Sequence, residues 1–342
     1  MINGHGVNLE QYKEPSLKYP IQNLEAPASL PKPKRFSPPQ KNYTAGDLIA
    51  AAQSANIIDE FDGVPLFQKL KRMRRLGVQT VLACCLDEDP YTTSAMATLR
   101  ETSGAVISGL VLISRVCGAK ENKLVVATAQ EEKRIKKINP QADILVAGER
   151  YPARALLKRR LRSGGRKTAY IGAQACAALT DAVDDGEVQS TTVVTMAGNG
   201  VENWCNLRVR IGTPLKSLCD YCEINEKTTL IVTGSSVTGT AVSDLSAPVT
   251  AATRCVIALI KTPKYKTYPC IGCGKCSHAC PRGIVPWLIL KEMEGKHPDP
   301  VRLPNAQKCI RCASCSIVCP SGIDLAGVLA KAAAIKKSGD FD

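Results

Sequence analysis

The chain has 342 residues, of which 44% are hydrophobic and 4% aromatic, which is enough for two or three domains with aliphatic cores. Lys and Arg outnumber Asp and Glu by 45 to 31, and because no nucleic-acid motif accompanies the net charge of +14, we expect acidic protein partners and no nucleic acid. The 16 Cys without a secretory h-region, and the lack of any apolar run near the roughly 18–20 residues of a membrane span, predict a cytoplasmic protein that is at most peripheral to a membrane.

Residues 1–43 carry seven of the 21 prolines and show little hydrophobic periodicity. A segment of this composition cannot build a core of its own. We expect an extended arm that either lies along a surface or stays loose.

Residues 44–182 alternate between helical and strand-like patterns. A helix begins at the cap-like Thr44, and the apolar run Val78–Cys84 is typical of a strand buried in a parallel sheet. Alternating elements of these lengths predict an α/β domain with a mostly parallel sheet. The other predicted elements are helices at Val64–Leu76, about Thr93 to Cys117, Gln130–Ile138 and Ala153–Arg162, and strands at Lys123–Ala127 and Asp143–Ala147.

Residues 183–262 contain short strands separated by Gly turns around one short helix, a pattern that suits a small β-grasp-like module. A basic linker, Lys261–Thr267, leads into a cysteine-rich segment at 263–325. An Ala- and Lys-rich helix and a tail (326–342) close the chain.

The cysteine-rich segment holds the run C-x2-C-x2-C-x3-C-P twice, as C-I-G-C-G-K-C-S-H-A-C-P from Cys270 and as C-I-R-C-A-S-C-S-I-V-C-P from Cys309. This is the ligand run of bacterial [4Fe–4S] ferredoxins, in which the fourth Cys reaches across to the other cluster. Paired zinc knuckles do not explain a fourth Cys followed by Pro, and a disulfide framework is disfavoured without a signal peptide. We assign Cys270, Cys273, Cys276 and Cys319 to one [4Fe–4S] cluster and Cys309, Cys312, Cys315 and Cys280 to the other.

Four sequence blocks precede this segment in a fixed order: I-D-E-F-D-G-V-P-L from Ile58, T-V-L-A-C-C-L-D-E-D-P-Y-T-T-S from Thr80, E-R-Y-P from Glu149, and V-V-T-M-A-G-N-G-V-E-N-W-C-N-L-R-V-R-I-G-T-P from Val193. Together with the dicluster module they resemble the C subunit of the Rnf electron-transport complex. Its relatives include the cobalamin-reductase-like protein of propanediol metabolism and the proline-reductase-associated electron-transfer protein. The resemblance covers roughly residues 45–330 and implies a Complex-I-51-kDa-like α/β domain, a soluble-ligand-binding β-grasp (SLBB) domain and an α-helical dicluster ferredoxin domain.

The chain departs from this family at the two elements through which its flavin-binding members hold FMN. The glycine-rich loop of those members is replaced here by I-I-D-E-F-D-G-V-P-L (Ile57–Leu66), which brings acids towards the place of the flavin phosphate. Their Q-N-x-G-T turn appears as Q-A-C-A-A (Gln174–Ala178), without the amide and the hydroxyl. We therefore expect that FMN is absent, with a divergent flavin site as the alternative.

Three further features keep two interpretations each. The acidic turn of Asp87, Glu88, Asp89 and Tyr91 is either a remnant of the flavin and nicotinamide site or a polar turn that serves a helix N-terminus. Cys219 and Cys222, with or without Cys205, either carry redox or metal chemistry, as a dithiol or half of a metal site, or are small packed residues of the core. The run 150–167, with eight Lys or Arg and no acid, is a docking surface or a solvated helix face.

Three functions are compatible with these features. The first is an electron-transfer subunit without flavin that relays electrons between an acidic ferredoxin or flavodoxin-type donor and a larger oxidoreductase complex. The second is an FMN-containing NADH:acceptor oxidoreductase with a divergent flavin loop. The third is a subunit whose first two domains only clamp a complex while the clusters carry electrons. The altered glycine loop favours the first.

Overall fold

A four-stranded parallel sheet forms the first folded unit in the computed structural model of the chain, which describes residues 20–39, 42–149, 151–162, 167–236, 238–260, 266–295, 298–299, 303 and 305–335. Its strands lie in the order β6–β5–β4–β7, and the central β4 is buried along its whole length. The strands are β4 (Thr80–Cys84), β5 (Glu121–Val126), β6 (Ile144–Val146) and β7 (Thr168–Gly172), next to a small hairpin of β2 (Ile58–Asp59) and β3 (Val64–Pro65). The α/β prediction with a parallel sheet is therefore confirmed.

Seven helices of the described ranges belong to this unit. The first begins with a capping box, in which the Thr44 hydroxyl accepts from the Asp47 amide and the Asp47 carboxylate accepts from the Thr44 amide. The helices are α1 (Ala45–Ser54), α2 (Leu66–Leu76), α3 (Ser94–Glu101), α4 (Ser103–Cys117), α5 (Ala129–Ile138), α6 (Ala153–Arg162) and α7 (Ala173–Asp185). Helices α4 and α7 pack so closely at Gly109 that a Cβ there would lie 1.9 Å from the Cys176 carbonyl oxygen.

The prediction of a single helix from about Thr93 to Cys117 was wrong. The chain leaves helical geometry at Thr102, and the hydroxyls of Thr98 and Thr102 each donate to the carbonyl four residues earlier, a bond that bends helices. In the part of the chain that the structure describes, no single helix is long and apolar enough to cross a membrane. Helices α3 and α4 taken together have the length and composition of a span, but their axes are bent by 98° relative to each other.

A mixed six-stranded sheet forms the second unit, with strand order β1–β9–β8–β12–β10–β11. Its edge strand β1 comes from the proline-rich arm and pairs in parallel with β9, so residues 20–39 of the arm lie along this sheet. The arm is also held by the Phe36 amide, which donates to the Gly186 carbonyl at 2.9 Å. The elements are β1 (Ile21–Asn23), β8 (Thr191–Ala197), β9 (Cys205–Arg210), α8 (Leu215–Tyr221), β10 (Leu230–Thr233), β11 (Thr240–Val242) and β12 (Cys255–Leu259).

A small helical unit with its own apolar core carries the two cysteine runs. Ile284, Ile289, Leu325 and Leu329 are buried there together with Cys276, Cys280, Cys315 and Cys319. Its helices are α9 (Lys275–Ala279), α10 (Pro286–Met293), α11 (Ser314–Ile317) and α12 (Leu325–Ala334), with a 3-10 turn at Ala306–Lys308.

Candidate iron–sulfur centre

The two cysteine runs fold into equivalent loops. In the first loop Gly272 and Gly274 are left-handed, with φ of 68° and 71°, and in the second Arg311 and Ala313 occupy the same positions with φ of 54° and 55°. Each loop leads into a short helix, α9 or α11, that carries the third Cys. A residue with a Cβ pays about 1–2 kcal/mol for this conformation, so both runs hold the same loop shape even where the sequence disfavours it.

The thiols of the second run lie near Cys280 of the first. Burial raises the pKa of Cys315 to about 12, and the neighbouring Cys312, Cys309 and Cys280 contribute to this rise in that order. Burial likewise raises the pKa of Cys312, with Cys280 and Cys309 as further causes. Cys280 and Cys315 are also buried in one apolar core, against which Cys309 packs. The crossed assignment of these thiols to one cluster stays a prediction.

Backbone amides point at two of these sulfurs. The Ile284 amide donates to Cys280 Sγ at 3.3 Å, and the Arg311 amide donates to Cys309 Sγ at 3.4 Å. Hydrogen bonds of this kind stabilise ligating thiolates and tune the potential of an iron–sulfur cluster. The donor set and its polar surroundings thus fit a cubane cluster.

The thiols assigned to the first cluster span the surface and the core. Cys276 and Cys319 are buried in the same hydrophobic core, whereas Cys270 and Cys273 are exposed. Ile271 between them is 70% exposed, a high value for a large aliphatic side chain. This loop therefore presents a ligand-bearing apolar surface to solvent.

A basic cavity of about 710 Å³ separates helix α6 from the second cysteine loop. Cys312 forms part of its wall, and Glu88 is its acidic lining residue. Arg159 closes one side by donating to the His278 carbonyl oxygen of the first loop. The basic residues that line the cavity are Arg154, Lys158, Arg159, Arg282 and Arg311.

The β7–α7 junction, which leads into the segment that corresponds to the family's FMN-binding Q-N-x-G-T turn, holds a carboxylate from the replaced glycine-rich loop. Glu60 is 2% exposed, and its two carboxylate oxygens accept from the amides of Gln174 at 2.8 Å and Ala175 at 3.0 Å. Asp59 beside it accepts from the Gly172 amide at 2.8 Å. A Cβ on Gly172 would lie only 2.1 Å from Glu60 Oε1, so the carboxylate fills this space. The first-turn amides of α7, a favourable anion site, are thereby already bonded.

Burial, and then the charge of Asp59, raise the pKa of Glu60 to about 7. The Asp59 carboxylate pairs with Lys69 Nζ at 2.5 Å, and the same Lys69 Nζ pairs with the Asp62 carboxylate at 2.7 Å. The acidic loop is therefore tied to α2 as well as to α7. The sequence analysis identified these acids in the replaced glycine-rich loop, but it did not foresee that Glu60 would accept hydrogen bonds from the first turn of α7.

Phe61 fills the space next to Glu60. Its ring stacks on Tyr170 with centroids 5.7 Å apart and an interplanar angle of 7°. The guanidinium of Arg154 and the ammonium of Lys158 each lie 4.6 Å from the Phe61 centroid, within cation–π range. Arg154 also donates to the Phe61 carbonyl at 2.7 Å, which closes the loop over the end of the sheet.

Two residues of the acidic turn bind backbone amides. Asp87 accepts from the amides of Ala95 and Met96 at the start of α3, and burial raises its pKa to about 7. Asp89 is fully buried and accepts from the Ser236 amide of the second unit at 2.6 Å. The interpretation as a polar turn had Asp89 serving the helix N-terminus, but Asp87 binds the start of α3 and Asp89 links the first unit to the second.

The other two members of the turn differ in their surroundings. Tyr91 is buried and stacks on Trp204 of the second unit, with centroids 5.5 Å apart. Glu88 lies 3.6 Å from Arg154 and lines the basic cavity. A remnant ligand site at this turn would therefore involve Glu88 rather than Tyr91.

The basic run 150–167 is less free than a solvated helix face. Arg160 donates to the Val146 carbonyl at 3.2 Å, and Lys167 donates at 2.9 Å to the carbonyl that ends α2. With Arg154 and Lys158 held at Phe61 and Arg159 at the first cysteine loop, much of this run ties α6 to its neighbours. Residues 150 and 163–166 and the side chain of residue 162 lie outside the described residues.

Cys222 pairs with Cys205 rather than with Cys219. The Cys205 and Cys222 sulfurs lie 3.3 Å apart, and all three thiols are buried.

Comparison with known proteins agrees with the cysteine geometry. Residues 269–323 match the family described as a 4Fe-4S dicluster domain. The C subunit of an ion-translocating oxidoreductase complex from Rhodobacter capsulatus is 24% identical over 281 residues, which cover 73% of this chain and 52% of that protein. The C subunit of a proton-translocating ferredoxin:NAD(+) oxidoreductase complex from Clostridium ljungdahlii is 29% identical over 225 residues, covering 59% and 48%. Together, these similarities support the resemblance of the chain to RnfC-like proteins.

This RnfC-like chain spans about half the length of the curated relatives it matches. Among solved structures it resembles a chain in "Crystal structure of NAD+-reducing [NiFe]-hydrogenase in the H2-reduced state", with a TM-score of 0.56, 14% identity and coverage of 84% of this chain and 60% of that one. At that identity the likeness concerns the fold, and it supports the α/β layer with its parallel sheet. The SLBB assignment of the six-stranded sheet and the proline-reductase-associated branch stay predictions.

Proposed function

We propose that this RnfC-like chain is an electron-transfer subunit that holds two [4Fe–4S] clusters and no flavin. It relays electrons between a ferredoxin or flavodoxin-type donor and a partner oxidoreductase complex. The observation that carries the proposal is the pair of equivalent cysteine loops, whose Cys280 and Cys315 are buried in one shared apolar core. Bound clusters supply one-electron transfer.

Two surfaces give electrons a way in and a way out. One is the basic cavity beside Cys312, where Arg282 and Arg311 are exposed and suit an acidic partner. The other is the apolar loop around Ile271, whose flanking Cys270 and Cys273 are exposed. A relay needs two such faces, and a clamp subunit would not.

The residues at the expected flavin position do not fit FMN. The first-turn amides of α7 already donate to Glu60, and an anion placed there would meet the carboxylates of Glu60 and Asp59. Two like charges about 4 Å apart repel by roughly 1–4 kcal/mol at effective dielectric constants from about 80 down to about 20. The Phe61–Tyr170 stack occupies the adjoining space.

The names of the curated relatives support a role within a larger complex, because both describe parts of multi-protein complexes. We infer that this chain acts in the cytoplasm, peripheral to such a complex. Its ferredoxin-type donor is proposed from charge alone.

The test is cluster reduction by a reduced acidic ferredoxin under anaerobic conditions, followed in a stopped-flow instrument. Arg311→Glu should slow reduction by up to about tenfold at 0.01 M salt, where the Debye length is about 30 Å, and have little effect at 1 M salt, where it is about 3 Å. Lys216→Glu is the matched control, since Lys216 carries the same charge on α8 at an exposed site paired with Asp220. Equal rates for Arg311→Glu and Lys216→Glu at low salt would remove the cavity as the docking face.

One observation favours the FMN-containing alternative. The cavity volume of about 710 Å³ lies in the range of small-molecule sites, and Glu88 and Cys312 are both in its wall. If a divergent flavin bound there, anaerobic titration would show stoichiometric FMN uptake and bleaching by NADH.

A further inference from the structure

The sulfurs of Cys205 and Cys222 form a close pair outside the iron–sulfur domain. Cys205 begins β9, Cys222 follows the last turn of α8, and their sulfurs are 3.3 Å apart. A disulfide bond is about 2.05 Å long, so the two atoms need to approach by little more than 1 Å. Sequence spacing had paired Cys222 with Cys219, which lies on α8 itself.

A cavity of about 280 Å³ lies against both cysteines. Its lining combines Cys205 and Cys222 with Glu202 and Glu223, and it includes no Lys or Arg among the described residues. Two carboxylates without a compensating cation disfavour anionic oxidants such as oxidised glutathione. The cavity therefore suits a small neutral oxidant.

The two thiols are electrostatically unequal. The hydrogen bond between the two sulfurs lowers the pKa of Cys205 and raises the pKa of Cys222. Cys205 is thus the thiolate that attacks first, because the thiolate is the nucleophilic form. Cys222 is the neighbour placed to resolve the oxidised sulfur.

We propose that Cys205 and Cys222 form a reversible disulfide in response to hydrogen peroxide. The Cys205 thiolate attacks one peroxide oxygen, the O–O bond breaks, and the released hydroxide takes a proton, which leaves a sulfenic acid and one water. The Cys222 sulfur then attacks the sulfenic sulfur, the S–O bond breaks, and its own proton leaves with the departing hydroxide as a second water. Two thiols and one peroxide become one disulfide and two waters, with two electrons passing to the peroxide.

Trp204 provides an optical signal for this change. It precedes Cys205, donates from Nε1 to the Gly198 carbonyl at 2.9 Å and stacks on Tyr91. The chain has 2 Trp, so Trp287→Phe leaves Trp204 as the single indole. A disulfide formed next to this ring should change its fluorescence.

The experiment treats the full-length, cluster-loaded protein with one equivalent of hydrogen peroxide under anaerobic conditions, then alkylates the free thiols and maps disulfides by mass spectrometry. The visible absorption of the clusters, recorded in parallel, identifies samples in which the clusters survive. We expect a Cys205–Cys222 link in the wild type and in Cys219→Ser, and none in Cys205→Ser or Cys222→Ser. Two results would overturn the proposal: a link between Cys219 and Cys222, or loss of the clusters before any Cys205–Cys222 link has formed.

Wild-type protein alone gives a second measurement if the serine variants do not fold. Before oxidation, iodoacetamide should label Cys205 faster than Cys219 near neutral pH. An equal concentration of oxidised glutathione should form the link at least about tenfold more slowly than peroxide does. Faster labelling of Cys219, or equal rates for the two oxidants, would contradict the assigned roles and the acidic character of the cavity.

Discussion

Replacing Glu60 by Ala tests whether an internal carboxylate really caps helix α7. The substitution leaves the amides of Gln174 and Ala175 without their acceptors. An unsatisfied buried donor costs about 1–3 kcal/mol, so two donors cost about 2–6 kcal/mol. Local opening of α7 should therefore become much more frequent.

The effect should depend on pH in a definite direction. Burial and Asp59 raise the Glu60 pKa from 4.5 to about 7, so the folded state holds the proton more tightly than the unfolded state. Its contribution to stability is then fully present below pH 4.5 and falls as the pH rises towards 7. Between pH 6 and pH 8 the wild type should lose about 1.3 kcal/mol of stability against the opening of α7, and the Ala variant should not. This loss corresponds to a factor of about ten in the opening equilibrium.

Cys176, fully buried in α7, reports this opening directly. We would measure its alkylation rate by mass spectrometry in the wild type and in Glu60→Ala, with Cys255 of β12 as the internal control. The ratio of variant to wild-type rates should exceed one at both pH values and be about tenfold larger at pH 6 than at pH 8. Glu60→Gln, which keeps the size but not the charge, should show the same pH trend with a smaller ratio.

Adding inorganic phosphate gives a second test of the Glu60 cap. The vacated amides of Glu60→Ala should bind phosphate and slow Cys176 alkylation, whereas the wild type should not respond. Asp47→Ala, which removes an exposed cap at α1, should leave Cys176 unaffected by phosphate. A rate ratio of one, or a ratio that grows with pH, would refute the account of Glu60.

Three further predictions concern the cysteine loops and their surroundings. Cys273→Ser and Cys312→Ser should each lower the iron content to about half, since each removes a ligand of a different cluster; loss of all iron in either would show that the clusters are not independent. Ala313→Gly removes the strain of a left-handed residue that carries a Cβ, about 1 kcal/mol, and should slow iron release to a chelator several-fold. Faster release would mean that the packing of the Ala313 methyl group matters more than its backbone strain. Phe61→Ala should speed Cys176 alkylation, because it removes the ring stacked on Tyr170; an unchanged rate would separate this stack from the Glu60 cap.

Local sequence patterns predicted the features that depend on spacing within one segment. The cysteine runs, the cap at Thr44 and strand β4 are of this kind, because their residues contact neighbours a few positions away or follow one another in a continuous apolar run. The break at Thr102 escaped prediction, since the apolar pattern continues through it and threonine is tolerated in helices. The bend is decided by hydroxyl bonds and by packing.

The features that escaped prediction join residues far apart in the chain. Strand β7 and helix α7 were not predicted, and Gln174–Ala178 was interpreted as a turn although it lies within the first turns of that helix. The acceptor for its amides, Glu60, is 114 residues away in the sequence. Likewise, Cys222 meets Cys205 across the sheet, whereas spacing pointed to Cys219. Such contacts are set by the packing of α/β units and leave no local periodicity.

The most direct test of the proposed function is the cofactor content of the protein purified without oxygen. Iron, acid-labile sulfide and released flavin should be measured on the same sample. We predict about eight iron and about eight sulfide atoms per chain and no flavin, because two cubane clusters use the eight Cys of the two runs and the carboxylate of Glu60 already accepts from the first-turn amides of α7. About four iron atoms, zinc in place of iron, or one tightly bound FMN that NADH bleaches would contradict it.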